Sequence, residues 1–243
     1  MNKTQPTIET CFAPPLFQHI LTKENYVVVV IDILRASTAI CTAFKNGALE
    51  IIPLAGIEET KKYRPLGYLI AGERDGIVID GADFGNSPFN FTEENVKGKK
   101  IVITTTNGTQ TIAKARVSGT VALGAFSNIS VLTEWLANLN KNVVLFCAGW
   151  KNKFNLEDSV FAGALAGRLI AKGFATNCDS TAAAIDLWHA AEPDILAYME
   201  KAAHRHRLKR LGLDDVLEYC FTNDTANVIP FLKGECFVDV LKK

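Results

Sequence analysis

Three apolar, strand-like runs in this chain end in polar groups of catalytic type and lead directly into helical patterns: Asp32 and Arg35 in VVVVIDILRAST, Asn107 in KIVITTTNGT, and Glu157 and Asp158 in VVLFCAGWKNKFNLEDSVFAG. In an open parallel sheet the carboxyl ends of the strands lie along one edge, and ligands bind there. These ends therefore nominate Asp32, Arg35, Ser37, Thr105, Asn107, Thr109, Glu157 and Asp158 as one crevice. An aspartate closing a buried strand is costly unless it is hydrogen-bonded, paired or bound to a cation. Arg35 can pair with it or fork onto phosphate oxygens. TTTNGT sets hydroxyls and backbone N–H groups at the positive end of a helix, and Gly108 permits close backbone approach. Glu157 and Asp158 in a first helical turn stabilise the helix by up to about 1 kcal/mol. The same two side chains, with Asp32, suit Mg²⁺, which is held by one or two carboxylates plus water and phosphate. Carboxylates, an arginine, hydroxyls and helix N-termini together point to phosphate chemistry.

The loop between these runs carries GERDG and DFGNSP, in which Glu73 is a candidate base or metal ligand and Arg74 a second anion clamp. Asn86, Ser87 and Pro88 form a polar turn, and a long Gly-rich loop in a compact domain is more often functional than not. Several phosphate chemistries are excluded by the text itself. Leu34 stands where an aspartyl-phosphate enzyme of DxDx(T/V) type needs its second Asp. A Cys-x5-Arg phosphatase is absent, since Gly47 follows Cys41 and Lys153 follows Cys147 at the required spacing. No RHG segment or histidine pair supports a phosphohistidine, and neither a Walker loop nor GxGxxG is present. What remains is attack by water with metal assistance, with arginines and helix amides stabilising the transferred phosphoryl group.

The elements that must position these residues follow from periodicity. Strands are expected over 26–34, 50–54, 66–72, 100–104, 119–124 and 142–147, after an irregular start, with one or two more over 227–240. Helices are expected over 37–46, 57–63, 109–116, 129–139, 156–172, 180–191, 194–210 and 213–220. Alternation at this spacing indicates an α/β fold, and without a linker or repeat residues 1–243 read as a single domain. Hydrophobic residues make up 48% and charged residues 21%, and Lys+Arg and Asp+Glu both total 26, so no global field recruits nucleic acid. The longest apolar run, 26–31, is too short to span a membrane, and the amino end has no signal-peptide pattern, so a cytoplasmic location is expected. Six scattered cysteines without a CxxC pair argue against disulfides and a zinc site. His204 and His206 flank Arg205 in AAHRHRLKRLG, which reads as a solvated helix face. A twofold dimer is the base-rate expectation for oligomeric state.

IDILRAST, GERDG with DFGNSP, TTTNGT and LEDSVFAG occur in the order found in the ComB family of 2-phosphosulfolactate phosphatases, which the chain resembles from about residue 26 to its tail. The resemblance implies a three-layer α/β/α sandwich with a largely parallel sheet. It implies a Mg²⁺-dependent hydrolase converting 2-phospho-3-sulfolactate, a small anionic phosphate ester, to 3-sulfolactate and phosphate, a step of coenzyme M biosynthesis in methanogens. The matching positions are Asp32, Arg35, Glu73, Arg74, Asn86, Ser87, Thr106, Asn107, Gly108, Thr109, Glu157 and Asp158. On this reading Asp32 and Asp158 hold Mg²⁺, Glu157 or Glu73 orients or deprotonates water, and Arg35 and Arg74 clamp the anion. Asn86, Ser87, Ser37, Thr106, Asn107, Gly108 and Thr109 bind substrate, with Lys151 and Lys153 nearby. A phosphatase of another small hydroxy acid, a sugar-phosphate isomerase or transferase, and a non-catalytic anion-binding module remain the alternatives.

Overall fold

The computed structural model describes residues 5–20 and 26–242. Its strands are β1 (Ile8–Cys11), β2 (Tyr26–Ile31), β3 (Glu50–Pro53), β4 (Leu69–Arg74), β5 (Ile77–Val78), β6 (Lys100–Thr104), β7 (Val121–Gly124), β8 (Asn142–Cys147), β9 (Pro230–Lys233) and β10 (Cys236–Asp239). The helices are α1 (Ala36–Lys45), α2 (Ile57–Thr60), α3 (Glu93–Val96), α4 (Gly108–Ala115), α5 (Ile129–Leu139), α6 (Leu156–Ala171), α7 (Asp179–Ala191), α8 (Ile195–Met199), α9 (Ala203–Arg210) and α10 (Leu217–Phe221). They build a three-layer α/β fold on a largely parallel sheet of order β1-β8-β2-β7-β9-β10-β3-β6-β4-β5.

Every residue of β2 is buried, which is why the run YVVVVI lacks alternation: a central parallel strand is covered on both faces. β1, β8, β2 and β7 form one parallel block, and β3, β6 and β4 a second. The hairpin β9–β10 joins them through three antiparallel steps, β7 to β9, β9 to β10 and β10 to β3. Three reversals leave the two blocks running in opposite senses. The expected common edge of strand ends therefore does not exist between β2 and β6. Their ends meet by helix packing instead: α4, which follows β6, lies against β2.

Several boundaries depart from the sequence reading, the strand expected over 66–72 running from Leu69 to Arg74 among them. The start is not irregular, since Ile8–Cys11 pairs in register with β8. The helix expected over 194–210 is two, α8 and α9, and the one expected over 213–220 is only the short α10. On the far side α6 and α7 approach through Gly163, where a Cβ would sit 1.9 Å from the Ala184 carbonyl oxygen. That contact fixes the helix that opens with Glu157 and Asp158. All six cysteines are free thiols, and Cys11, Cys41, Cys147 and Cys220 are buried as small apolar groups. Among the described residues no helix is long and apolar enough to cross a membrane.

Candidate active site

Asp32 follows the last residue of β2, and its carboxylate is met by two helix starts. Its Oδ1 accepts from Ala36 N at the head of α1, at 3.2 Å. On the other side Gly108, the first residue of α4, comes so near that a Cβ there would lie 2.6 Å from Asp32 Oδ2 and 2.9 Å from the Ala36 Cβ. Only glycine allows that approach, and it explains the Asn-Gly pair in TTTNGT. Ser37 is wholly buried and gives its hydroxyl to Asp32 O at 2.7 Å, so it fixes the turn and does not face a ligand.

The first turn of α6 brings two more carboxylates. Asp158 is saturated: Oδ1 accepts from Ile33 N at 2.9 Å, and Oδ2 from Gly149 N at 3.1 Å and Asn155 Nδ2 at 2.9 Å. It ties the β2 and β8 loops together. Glu157 accepts from Asn155 Nδ2 at 3.1 Å and meets His204 Nδ1 at 2.7 Å, both on Oε1, while its buried Oε2 has no hydrogen-bond partner. The pair is shielded, with 8% of the His204 side chain and 1% of Glu157 exposed. A carboxylate on Nδ1 fixes the tautomer and leaves Nε2 for the crevice. The solvated-face reading of AAHRHRLKRLG thus fails at His204. α9 lies over the site, with His204, Arg207 and Leu208 lining the crevice together with Asp32, Leu34, Arg35, Glu73, Gly76, Asn86, Asn107 and Trp150.

Glu73 reaches this crevice from β4. Its carboxylate accepts from Thr106 N at 2.8 Å, Gly76 N at 2.7 Å and the Thr106 hydroxyl at 3.1 Å, so it braces two loops. Successive strand residues face opposite ways, so Arg74 cannot share the crevice with Glu73. It bonds Ala55 O, Thr104 Oγ1 and Glu73 O, and is not a clamp on this site. Arg207 takes that place, its guanidinium 4.0 Å from the centre of the Trp150 ring and 3.8 Å from Asp75. Arg35 donates to Asn86 Oδ1 at 2.7 Å rather than to Asp32. Thr109 and Thr105 cap each other, Ser87 and Thr106 lie outside the lining, and Lys151 pairs with Asp75 at 3.0 Å on the surface.

Burial pushes the Asp32 carboxyl up to about 6, and the charges of Glu73 and Glu157 add to it, while the Ala36 N–H and His204 oppose the shift. Burial also drives Asp158 well above the usual carboxylate range, with Asp32 and Glu157 contributing. Burial thus disfavours the charged form of both carboxyls, which a proton or a nearby positive charge would offset.

The family model of 2-phosphosulpholactate phosphatase matches residues 11–235. The chain belongs to this family. A probable 2-phosphosulfolactate phosphatase of Caldanaerobacter subterraneus subsp. tengcongensis is 37% identical over 211 residues, covering 85% of this chain and 88% of its own. Relatives of the same printed name in Thermotoga maritima and Gloeobacter violaceus are both 38% identical, covering 86% and 83% of this chain and 90% and 86% of their own. As a member of the 2-phosphosulpholactate phosphatase family the chain is a phosphoric monoester hydrolase.

Among the described residues no group of three or more metal-ligating side chains comes together. Mg²⁺ needs fewer, one or two carboxylates with water and phosphate completing the shell. Asp32 and the unpartnered Oε2 of Glu157 fit that donor set, whereas Asp158 has its oxygens engaged by N–H groups. His204 and Arg207 line the crevice and were passed over by motif reading. The signal was their spacing with Leu208, i, i+3 and i+4, which puts all three on one helix face.

Proposed function

We propose that this chain is a Mg²⁺-dependent phosphatase that hydrolyses 2-phospho-3-sulfolactate to 3-sulfolactate and inorganic phosphate. The observation that carries the reading is His204, held through Nδ1 by the buried Glu157, in a crevice that Asp32, Arg35 and Arg207 also line. Asp32 and Glu157 Oε2 would hold the ion. When bound, Mg²⁺ neutralises charge on the phosphoryl oxygens and lowers the pKa of water.

The protein's own groups do the rest. Glu73 and Asp158 are consumed by N–H donors, so neither is a free base. The proton of the attacking water passes to His204 Nε2, and Glu157 stabilises the imidazolium that forms. The water oxygen bonds to phosphorus as the ester P–O bond breaks, and the departing alkoxide is protonated from solvent at the open mouth. Arg35, anchored by Asn86, and Arg207, stacked on Trp150, offer planar donor forks to the phosphoryl oxygens. No covalent intermediate is needed, in keeping with Leu34 where a nucleophilic-aspartate motif would require Asp.

The test is a screen of phosphate esters, phosphosulfolactate, phospholactate and sugar phosphates among them, with Mg²⁺ and with chelator. Equimolar phosphate and sulfolactate, only with Mg²⁺, is the expected result. Isomerised or transferred product without free phosphate, or binding without turnover, overturns it.

A further inference from the structure

The crevice at Asp32 has a free volume of only about 20 Å³. A single water-sized site needs at least roughly 10–15 Å³ on that measure, so a phosphorylated three-carbon acid cannot lie wholly inside it. A second cavity of about 210 Å³ adjoins it, lined by Pro14, Thr106, Asn107, Gln110, Thr111, Lys114, Ala148, Lys151 and Asn152. Asn107 lines both spaces and is the wall between them. Its Oδ1 accepts from Lys151 N at 3.0 Å, which fixes the amide and leaves its two N–H donors free to be used.

The two spaces differ in charge. Asp32 and Glu73 line the crevice, but no carboxylate lines the neighbouring cavity, whose charged groups are Lys114 and Lys151. Lys151 is drawn toward Asp75, while Lys114 has no ion-pair or hydrogen-bond partner among the described residues. Asn107, Gln110 and Asn152 add amide donors, and Pro14 and Ala148 give a non-polar wall. A cavity with cations and amides but no acid discriminates for an anion and against a neutral group.

We propose that this cavity is a second anion subsite, which seats the strongly acidic sulfonate end of the substrate while the phosphoryl group sits at the mouth of the Asp32 crevice. The proposal rests on the phosphatase reading above and supplies its substrate selectivity. Lys114 is the main determinant, and Asn107 sets the spacing between the two anionic ends.

The test compares wild type with Lys114→Met, an exposed position where loss of fold is not at issue. The ratio of kcat/KM for phosphosulfolactate to that for phospholactate, which lacks the sulfonate, should fall about tenfold, the scale of one charge-assisted hydrogen bond at a wet site. Lys62→Met, a remote exposed lysine, should leave the ratio as it is. Calorimetry with 3-sulfolactate and with lactate reads the subsite without turnover. Wild type should bind sulfolactate about tenfold more tightly, and Lys114→Met should erase most of that margin. Equal binding of the two acids by wild type, or an unchanged ratio in Lys114→Met, overturns the subsite. Absence of hydrolysis with a preserved binding margin overturns the phosphatase reading and leaves the subsite standing.

Discussion

Gly108→Ala is the sharpest perturbation of the site that leaves every charge in place. The added Cβ would fall 2.6 Å from Asp32 Oδ2 and 2.9 Å from the Ala36 Cβ. Carbon contacts are relaxed near 3.5 Å, so the carboxylate or the head of α4 must shift by roughly 0.9 Å. Overpacking of this kind costs about 1–3 kcal/mol of stability. A misplacement of about 1 Å at reacting groups costs on the order of 10²-fold in rate, or about 2.7 kcal/mol of transition-state stabilisation. Steady-state phosphate release and thermal melting measure both. A control is available in Gly167→Ala on α6, where a Cβ meets nothing within 4 Å. Removing a helical glycine there should stabilise by up to about 1 kcal/mol and leave turnover alone. If Gly108→Ala keeps kcat within about threefold and melts with wild type, α4 does not abut Asp32 and the packing argument for the site is wrong.

Further outcomes follow from the other contacts. His204→Gln should lower kcat by about 10²–10³-fold with KM changed only a few-fold, because a general base acts on the chemical step; equal activity in the variant would remove His204 from the mechanism. Asp158→Ala strips three N–H donors of their acceptor and should cost on the order of 3 kcal/mol in denaturant unfolding; a loss of activity with undiminished stability would instead make Asp158 a ligand or catalyst. For pH, the Asp32 carboxyl is raised from 3.8 to about 6, so the folded state holds the proton after the unfolded chain has released it. Metal-free wild type should therefore lose stability relative to Asp32→Asn as pH rises from about 4 through 6, the sign expected when the folded state binds more protons. A difference that stays flat or grows in favour of wild type would contradict the burial of that charge.

The strand ends that carry chemistry were legible because the residues beside them are unambiguous: continuous valines in β2, the Asn-Gly pair before α4 and paired acids at the head of α6. Their convergence was legible too, but for a reason the structure replaces. The opposite sense of the two parallel blocks is set by the hairpin 230–239, which touches β7 and β3 through one registered pair each, Ala122 with Phe231 and Phe237 with Ile51. Local periodicity carries no trace of such a join. β1 was missed because Glu9 and Thr10 interrupt a run of four residues. His204 was missed because most of α9 is cationic or exposed, and the partner that buries it, Glu157, lies 47 positions away. Arg74 was misplaced because the strand was expected to stop at 72, whereas it runs to Arg74 and alternation turns Arg74 away from Glu73.

The most direct measurement is turnover and stability of Asp32→Asn side by side. With Mg²⁺ and phosphosulfolactate, wild type should release equimolar phosphate and sulfolactate, and the variant should lose at least about 10³-fold in kcat while melting no lower than wild type, since a buried charge has been removed. Near-normal turnover by Asp32→Asn in the presence of Mg²⁺ would contradict the assignment of this crevice as the place where the phosphate ester is cleaved.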